Sequence, residues 1–557
     1  MFDLLLRSGL VVDGSGRAAF PADVGVTAGR IAAVGDLSNA QAVDVIDCRG
    51  LHISPGWVDI HGHADWTVLN YSTGLNLLIQ GCTTTVAGNC GMSPAPVQGP
   101  ATELLRTGVG ESTPTLRALH ERFPSLEWSL CQFLDQVEQS QPGVNYAQLI
   151  GHGQLRTCIM GNEARPATSD EIAQMQRLLE ACCDSGARGM SSGLVFIPGC
   201  WSDERELVQL CRAVARRGLL YTSHIRGERE TNLEASEEFV RVAEASGVRA
   251  HMSHMQSKYP VYGNASIKLD MLESARARGA DISCDSETFP DWPTETFRFL
   301  QIYFYTPEQL TALMKSPEGR AELKHRMRTV DPRHPLGRFG PGGVPYRRAW
   351  DRVVIFDCQH DRSLEGKTVA AVAVERGVEF ENALFDLALA EGGSGPLMLY
   401  DYIEDDHFRT ATWPHCIFPS VDTGLYDPVA ELSPAILRAW KESRFPGTLG
   451  LFPRVLGQFV REEKLLTLEE AIRKMTSFAM SRLGITDRGE IAAGKWADIT
   501  VFDAERVGLR GPNLDPNDAT TFYPTGIRCV IVNGRVAVRG NQFTGARAGR
   551  VLRETCQ

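Results

Sequence analysis

The sequence predicts an α/β protein: a TIM-type (β/α)8 barrel carrying a small β-sandwich built from both chain termini, with an insertion between barrel strands 7 and 8. Three observations predict it. Short strand-like runs with turn residues between them cluster at both ends of the 557-residue chain. Between those ends, apolar strand-like runs alternate with amphipathic helical patterns, the order of successive parallel βα units. A stretch rich in proline, glycine and aromatics, about 287–410, interrupts the alternation late in the chain.

Residues 1–52 supply the first part of the β-sandwich. Leu10-Val11-Val12 runs into Asp13-Gly14, Asp23-Val24-Gly25-Val26 precedes Gly29, Arg30–Val34 follows, and Val45-Ile46-Asp47 leads to Gly50. Residues 489–557 supply the second, through Gly489-Glu490-Ile491, Ala497–Phe502 and Cys529–Val536. Chain termini usually lie close together, so one domain from both ends is the economical reading. The barrel spans 53–488, with strands expected at 53–61, 84–87, 146–150, 189–192, 219–223, 250–253, 281–284 and 416–421. The clearest helices are 169–184, 203–217 and 266–278; in the first, Ser169 reads as the N-cap and Ile172, Met175, Leu178 and Leu179 share a face. The insertion at 287–410 carries Trp292, Phe297, Tyr303, Phe304 and Tyr305, which suits either a lid or an oligomer surface.

Composition narrows the function. The chain is 43% hydrophobic and 22% charged, and its net charge of −11 is interspersed rather than blocked. That argues against nucleic acid as the main partner and against a polybasic membrane patch, and is compatible with a small-molecule partner. Met1-Phe2-Asp3-Leu4-Leu5-Leu6-Arg7 is no signal peptide, and no apolar run reaches the roughly 18 residues of a membrane span. Fourteen cysteines without a framework spacing read as reduced thiols of a cytoplasmic protein.

Chemistry in such a barrel gathers where strands end. His61 and His63 fall on one face of the first strand, because side chains repeat every two residues. Strand 2 ends in Gly88-Asn89-Cys90-Gly91, strand 5 in Ser223-His224, strand 6 in Ser253-His254 and strand 8 in Val421-Asp422. Any one of these is ordinary: a lone histidine is usually a hydrogen-bonded core residue, and a lone cysteine an inert thiol. Four imidazoles, a thiol and a carboxylate at one mouth predict a metal site.

These segments resemble the amidohydrolase superfamily and, within it, the N-acyl-D-amino-acid deacylases. The resemblance is carried by Pro55–His63, Gly88-Asn89-Cys90-Gly91-Met92-Ser93-Pro94-Ala95-Pro96, Gly151-His152-Gly153-Gln154-Leu155-Arg156, Gly193–Gly199, Ser223–Glu228, Phe452–Gly457 and Gly494–Ile499. It implies that Cys90, His224 and His254 hold one tightly bound zinc. His61 and His63 would form a weaker second site, and Asp422 would contact the attacking water and move its proton to the leaving nitrogen. A thiolate stands where many relatives have a bridging carboxylated lysine, and soft sulfur favours zinc over magnesium or calcium.

On the substrate side, His152 is read either as an oxyanion donor or as a structural hydrogen bonder. Arg226 is read either as a substrate contact or as a salt-bridge partner of Glu228 or Glu230. Trp57, Trp66, Phe196 and Phe289 hint at an apolar pocket. The family pattern Asp-x-Tyr-Pro-Tyr after strand 7 becomes Asp285-Ser286-Glu287-Thr288-Phe289, the sixth-strand lysine becomes Gln256, and His-Pro-Arg becomes Phe445-Pro446-Gly447. An arginine fork binds a carboxylate bidentately and glycine does not, which leaves Arg444 as the compensating candidate. Two other readings stand beside deacylation: a cyclic-amide hydrolase of the hydantoinase kind, against which the cysteine motif argues, and a non-catalytic relative that uses the fold for binding or assembly.

Overall fold

The protein is described from a computed structural model, which covers residues 1–106, 121, 124–255, 257–258, 261–287, 291–295, 307–329, 353–355, 358–392, 396–400, 404–427, 449–509 and 523–553. The chain opens with β1 (Phe2–Val11), β2 (Phe20–Thr27), β3 (Arg30–Gly35), β4 (Ala42–Asp47) and β5 (His52–Pro55). Its middle holds β6 (Trp57–Asp59), β7 (Cys82–Ala87), β8 (Asn145–Gln148), β9 (Ile150–Gly151), β10 (Gly189–Gly193), β11 (Leu220–His224), β12 (Arg249–Met252) and β13 (Ile282–Asp285). Then come β14 (Asp291–Glu295), β15 (Val353–Ile355), β16 (Pro396–Tyr400) and β17 (Cys416–Ile417). The last strands are β18 (Ile499–Phe502), β19 (Ile527–Val532), β20 (Arg535–Arg539) and β21 (Gln542–Phe543).

Strands from both ends form one sheet in the order β21-β20-β19-β18-β5-β1-β2-β3, with β4 parallel to β1. The joint between the two ends is the antiparallel pair β5–β18, where Ile53 faces Val501. Period-two alternation sorts the side chains. Ile499, Val501, Cys529 and Ile531 join Leu4, Leu6, Val24 and Val26 in one apolar cluster. Phe502, Val530 and Val532 turn to the other face and enter the large central core.

In the middle, β6-β7-β8 and β9-β10-β11-β12-β13-β17 pair in chain order, every pair parallel. Only Leu149 separates β8 from β9, so the chain itself connects the two runs. The helices Ser169–Asp184, Glu204–Ala215, Asn232–Ser246 and Asn264–Ala277 lie between successive strands. At the other end of the order, Asp422 donates its N–H to the His61 carbonyl at 2.7 Å and His63 donates to that of Thr423 at 2.8 Å. The first and eighth strand ends therefore meet.

Several expectations are corrected. The strand expected over 53–61 is two strands, β5 in the terminal sheet and β6 in the central run, broken at Gly56. A Cβ at Gly56 would lie 2.2 Å from Thr83 Oγ1, so only glycine passes there. The terminal sheet thus reaches Pro55 rather than ending at residue 52. The N-cap of the 169–184 helix is Thr168, which forms a capping box with Glu171, and not Ser169. Gly489-Glu490-Ile491 makes no strand; Ile491 donates one bond to the Asp13 carbonyl at 3.0 Å. The eighth strand stops at Ile417 because Pro419 has no N–H to continue the ladder.

The insertion has a core of its own. β14, β16 and β15 form an antiparallel sheet, and Leu310, Met314, Leu323, Val353, Leu384 and Phe385 are buried together. The aromatics Phe297, Tyr303, Phe304 and Tyr305 lie outside the described residues, as does Gln256.

A buried polar cluster ties the terminal sheet to β8. Asp498 pairs with Arg488 and accepts from Asn145 Nδ2 at 3.0 Å and from the Asn533 N–H at 2.8 Å; Asn533 Nδ2 donates to Asn145 Oδ1 at 2.7 Å. Removing the carboxylate leaves the buried guanidinium with only the longer contacts to Asp487 at 3.5 Å and Asn533 Oδ1 at 3.4 Å. Asp498→Ala is expected to lower unfolding stability by about 3–5 kcal/mol, read from urea denaturation, and a loss under about 1 kcal/mol would show that the cluster is not a structural tie.

Candidate metal centre

The mouth is assembled from strand ends. His61 follows β6, Cys90 follows β7, His224 is the last residue of β11, His254 follows β12, and Asp422 lies on the turn after β17. Two groups of side chains converge there, His61–His63–Cys90–Asp422 and Cys90–His224–His254, each with ligand atoms within 4.8 Å of one another. Cys90 belongs to both. Its Sγ is 3.3 Å from His61 Nε2, 3.7 Å from His224 Nδ1 and 3.7 Å from His254 Nε2. Asp422 Oδ1 lies 3.1 Å from His63 Nε2 and 3.4 Å from His61 Nε2.

Three of these residues sit in left-handed backbone: Cys90 at φ +53°, His254 at φ +33° and Asp422 at φ +49°. Non-glycine residues hold such conformations only where their surroundings over-determine them, and they cluster at functional sites. Here the surroundings are visible. Gly91 packs so closely on the end of β10 that a Cβ would lie 2.4 Å from the Gly193 nitrogen. Asn89 Nδ2 donates to the Val86 carbonyl at 3.1 Å, while Thr222 Oγ1 donates to Asn89 Oδ1 at 3.2 Å. The Gly-Asn-Cys-Gly motif is thereby clamped between β7, β10 and β11.

Asp59 does the same for the opposite wall. It accepts from Thr85 Oγ1 at 2.9 Å, from the His61 N–H at 3.2 Å and from the Val421 N–H at 3.1 Å, so one carboxyl fixes the approaches to both His61 and Asp422. Burial pushes its pKa up to about 6.

Electrostatics favour a thiolate at the centre. Burial opposes ionisation of Cys90, yet the surrounding His61, His224 and His254 overcome it and hold the thiol well below its usual range. The same balance holds for Asp422: burial raises it, and His61 and His63 keep it lowered overall. Glu287, hydrogen-bonded to Asp422, is driven well above the usual carboxyl range by burial and by that neighbouring charge.

The donor set suits a zinc ion, which prefers a soft thiolate and imidazoles, and carboxylates stand at the outer nitrogens of His61, His224 and His254. His61 Nδ1 donates to Asp285 Oδ2 at 3.3 Å, which leaves Nε2 facing Cys90. Asp285 also accepts from His251 Nε2 at 2.9 Å and from the His254 N–H at 2.9 Å.

The substrate-side residues fall differently. His152 is fully buried, its Nε2 donating to Glu206 at 2.6 Å, with Arg156 on the other oxygen of that carboxylate at 2.5 Å. This is the contact its structural reading expects, while its Nδ1 takes no hydrogen-bond partner among the described residues. Arg226 pairs with Glu238 at 2.8 Å and donates to the Cys200 carbonyl at 3.0 Å; Glu228 and Glu230, its expected partners, are not the ones it takes. Phe196 stands edge-on to His224 with ring centroids 5.0 Å apart, while Trp57 is buried against Phe452 and Phe502 beneath the mouth. Phe289 and Arg444 lie outside the described residues.

Sequence reasoning passed over Asp59, Asp285 and Glu287 as site residues. The position of Asp285 at the end of strand 7 was the available signal for it.

The profile of the Amidohydrolase family matches residues 44–289 and 424–538. The chain is 32% identical to an N-acyl-D-glutamate deacylase of Alcaligenes xylosoxydans xylosoxydans over 99% of its own length and 96% of the relative's. It is equally 32% identical to a D-aminoacylase of the same organism, over 100% of this chain and 98% of that one. Among solved structures, an N-acyl-D-glutamate deacylase from Bordetella bronchiseptica, complexed with zinc and a phosphonate that mimics the tetrahedral intermediate, superposes with a TM-score of 0.74. It is 28% identical, and 99% of each chain is covered.

If Cys90 anchors a zinc, Cys90→Ser is expected to fold but to lose zinc affinity by more than about tenfold, since even outer-shell losses cost that much. Competition with a chromophoric chelator measures it, and unchanged affinity would remove the thiolate from the ligand set.

Proposed function

This chain belongs to the amidohydrolase family, and we propose that it is a zinc-dependent deacylase of N-acyl-D-amino acids or related N-acyl compounds, releasing a carboxylate and a free amine. The observation that carries the reading is the position of Cys90, shared by both ligand groups at the mouth. In this reading β6 to β13 and β17, with β8 and β9 taken as one strand, form a closed (β/α)8 barrel, and the terminal sheet is its β-sandwich companion.

Cys90, His224 and His254 hold the tightly bound zinc, while His61 and His63 serve a second, weaker site. Zinc, when bound, acidifies water and polarises an amide carbonyl. The chain's own contribution is proton handling. Asp422, kept ionised by His61 and His63, accepts a proton as water attacks and returns it to the amide nitrogen, which cannot depart as an anion. Asp59 and the backbone bonds between 61–63 and 422–423 hold that carboxylate in register with the histidines.

Asp422→Asn is expected to retain zinc while turnover falls by roughly 10²–10⁴-fold, measured by amine release alongside metal content. Activity near the wild-type level would overturn the proton-transfer role.

The substrate's amine part is the open element. Glu287 stands where the family pattern has its first tyrosine, and the described mouth therefore gains a carboxyl where that pattern places a phenol. Two versions follow: the enzyme holds a substrate carboxylate through Arg444 or through a residue of the insertion, or it accepts amides whose amine part has no free carboxylate. N-acyl-D-amino acids assayed beside their methyl amides separate the two. A preference for free acids that survives Arg444→Ala removes the Arg444 version, and an absolute requirement for the free acid removes the second.

The cyclic-amide reading has no support at the Cys90 position. The binding-module reading requires that purified protein hold no stoichiometric zinc.

A further inference from the structure

Both imidazoles on the Cys90–His224–His254 side turn their outer nitrogens to a single carboxylate. Glu228 Oε1 lies 3.1 Å from His254 Nδ1, and Glu228 Oε2 lies 3.2 Å from His224 Nε2. The rings use opposite nitrogens toward sulfur: Nδ1 for His224 and Nε2 for His254. One carboxylate therefore lies against the outer nitrogen of both rings, a 3.2 Å contact outside hydrogen-bond alignment at His224, and with Nδ1 of His224 and Nε2 of His254 turned to sulfur it faces two different tautomers at once. Lys258 Nζ reaches the Oε2 side at 2.6 Å.

The carboxylate is itself held in place. Glu228 sits on the loop between β11 and the helix Asn232–Ser246. That loop is fastened by Arg226, which bridges Glu238 on the helix and the Cys200 carbonyl. Phe196 packs edge-on against the His224 ring and restricts its rotation.

We infer that Glu228 is the shared positioning residue of the two zinc-binding histidines, with Lys258 as its anchor. Tautomer and ring orientation are set together, so losing this one acceptor disturbs two ligands rather than one. A glutamine at this position keeps the shape but presents an amide N–H₂ on one side. One of the two ring N–H groups then faces a donor, and that ring loses its partner.

The inference rests on the zinc reading of the site, and its test separates the two. Full-length apo-protein is titrated with zinc against a chromophoric chelator, for wild type, Glu228→Gln and Lys258→Met, with the apo melting temperature of each recorded. Glu228→Gln is expected to bind zinc about 10- to 100-fold more weakly, with an apo melting temperature like that of wild type, and Lys258→Met to show a smaller loss. A folded Glu228→Gln whose zinc affinity stays within about twofold of wild type, below any outer-shell effect, overturns the role of Glu228. Failure of the wild type to bind zinc overturns the site reading instead. Should Glu228→Gln fail to fold, a crystal structure of the zinc-loaded wild type decides: both imidazole–carboxylate contacts retained supports the role, and a carboxylate turned away overturns it.

Discussion

A fully buried thiolate tolerates burial only if positive or hydrogen-bonding groups surround it. Cys90 meets that constraint through His61, His224 and His254, which come from three different strand ends. Everything that brings those ends to one mouth therefore serves the cysteine: the parallel pairing in chain order, the glycine contact between 91 and 193, and the bonds joining 61–63 to 422–423. The left-handed backbone at Cys90, His254 and Asp422 is a cost spread over the same arrangement.

Around this centre runs a ring of carboxylates that touch ligands rather than lie free. Asp285 takes His61, Glu228 takes His224 and His254, and Asp59 holds the approaches to His61 and Asp422. Each removes rotational freedom from an imidazole or a turn before any ion arrives, which is how preorganisation raises metal affinity. The ring is continuous with the scaffold: Asp285 ends β13, and Asp59 ends β6.

The ligand residues were legible in the sequence because they obey a positional rule, sitting where apolar strand runs end. Their supports were not. Glu228 lies four residues after His224, a spacing that reads as a helical pair, yet it sits on a loop. Asp59 lies inside an apolar run, where a carboxylate signals burial but not its partners. The break at Gly56 was hidden because residues on both sides continue the same strand-like pattern, and only the proximity of Thr83 shows why glycine is there. The insertion's composition suits either a lid or an oligomer surface, and it does not carry the separate core that the insertion's helices bury, a fact of long-range packing. Substrate selection is the least legible part, since Phe289 and Arg444 lie outside the described residues and Glu287 alters the one wall that is visible.

X-ray absorption at the zinc edge on the purified protein tests the central claim most directly. The account predicts zinc with a sulfur neighbour at about 2.3 Å and nitrogen or oxygen neighbours at about 2.0–2.1 Å. Protein without zinc, or zinc with a purely nitrogen and oxygen shell, would contradict it.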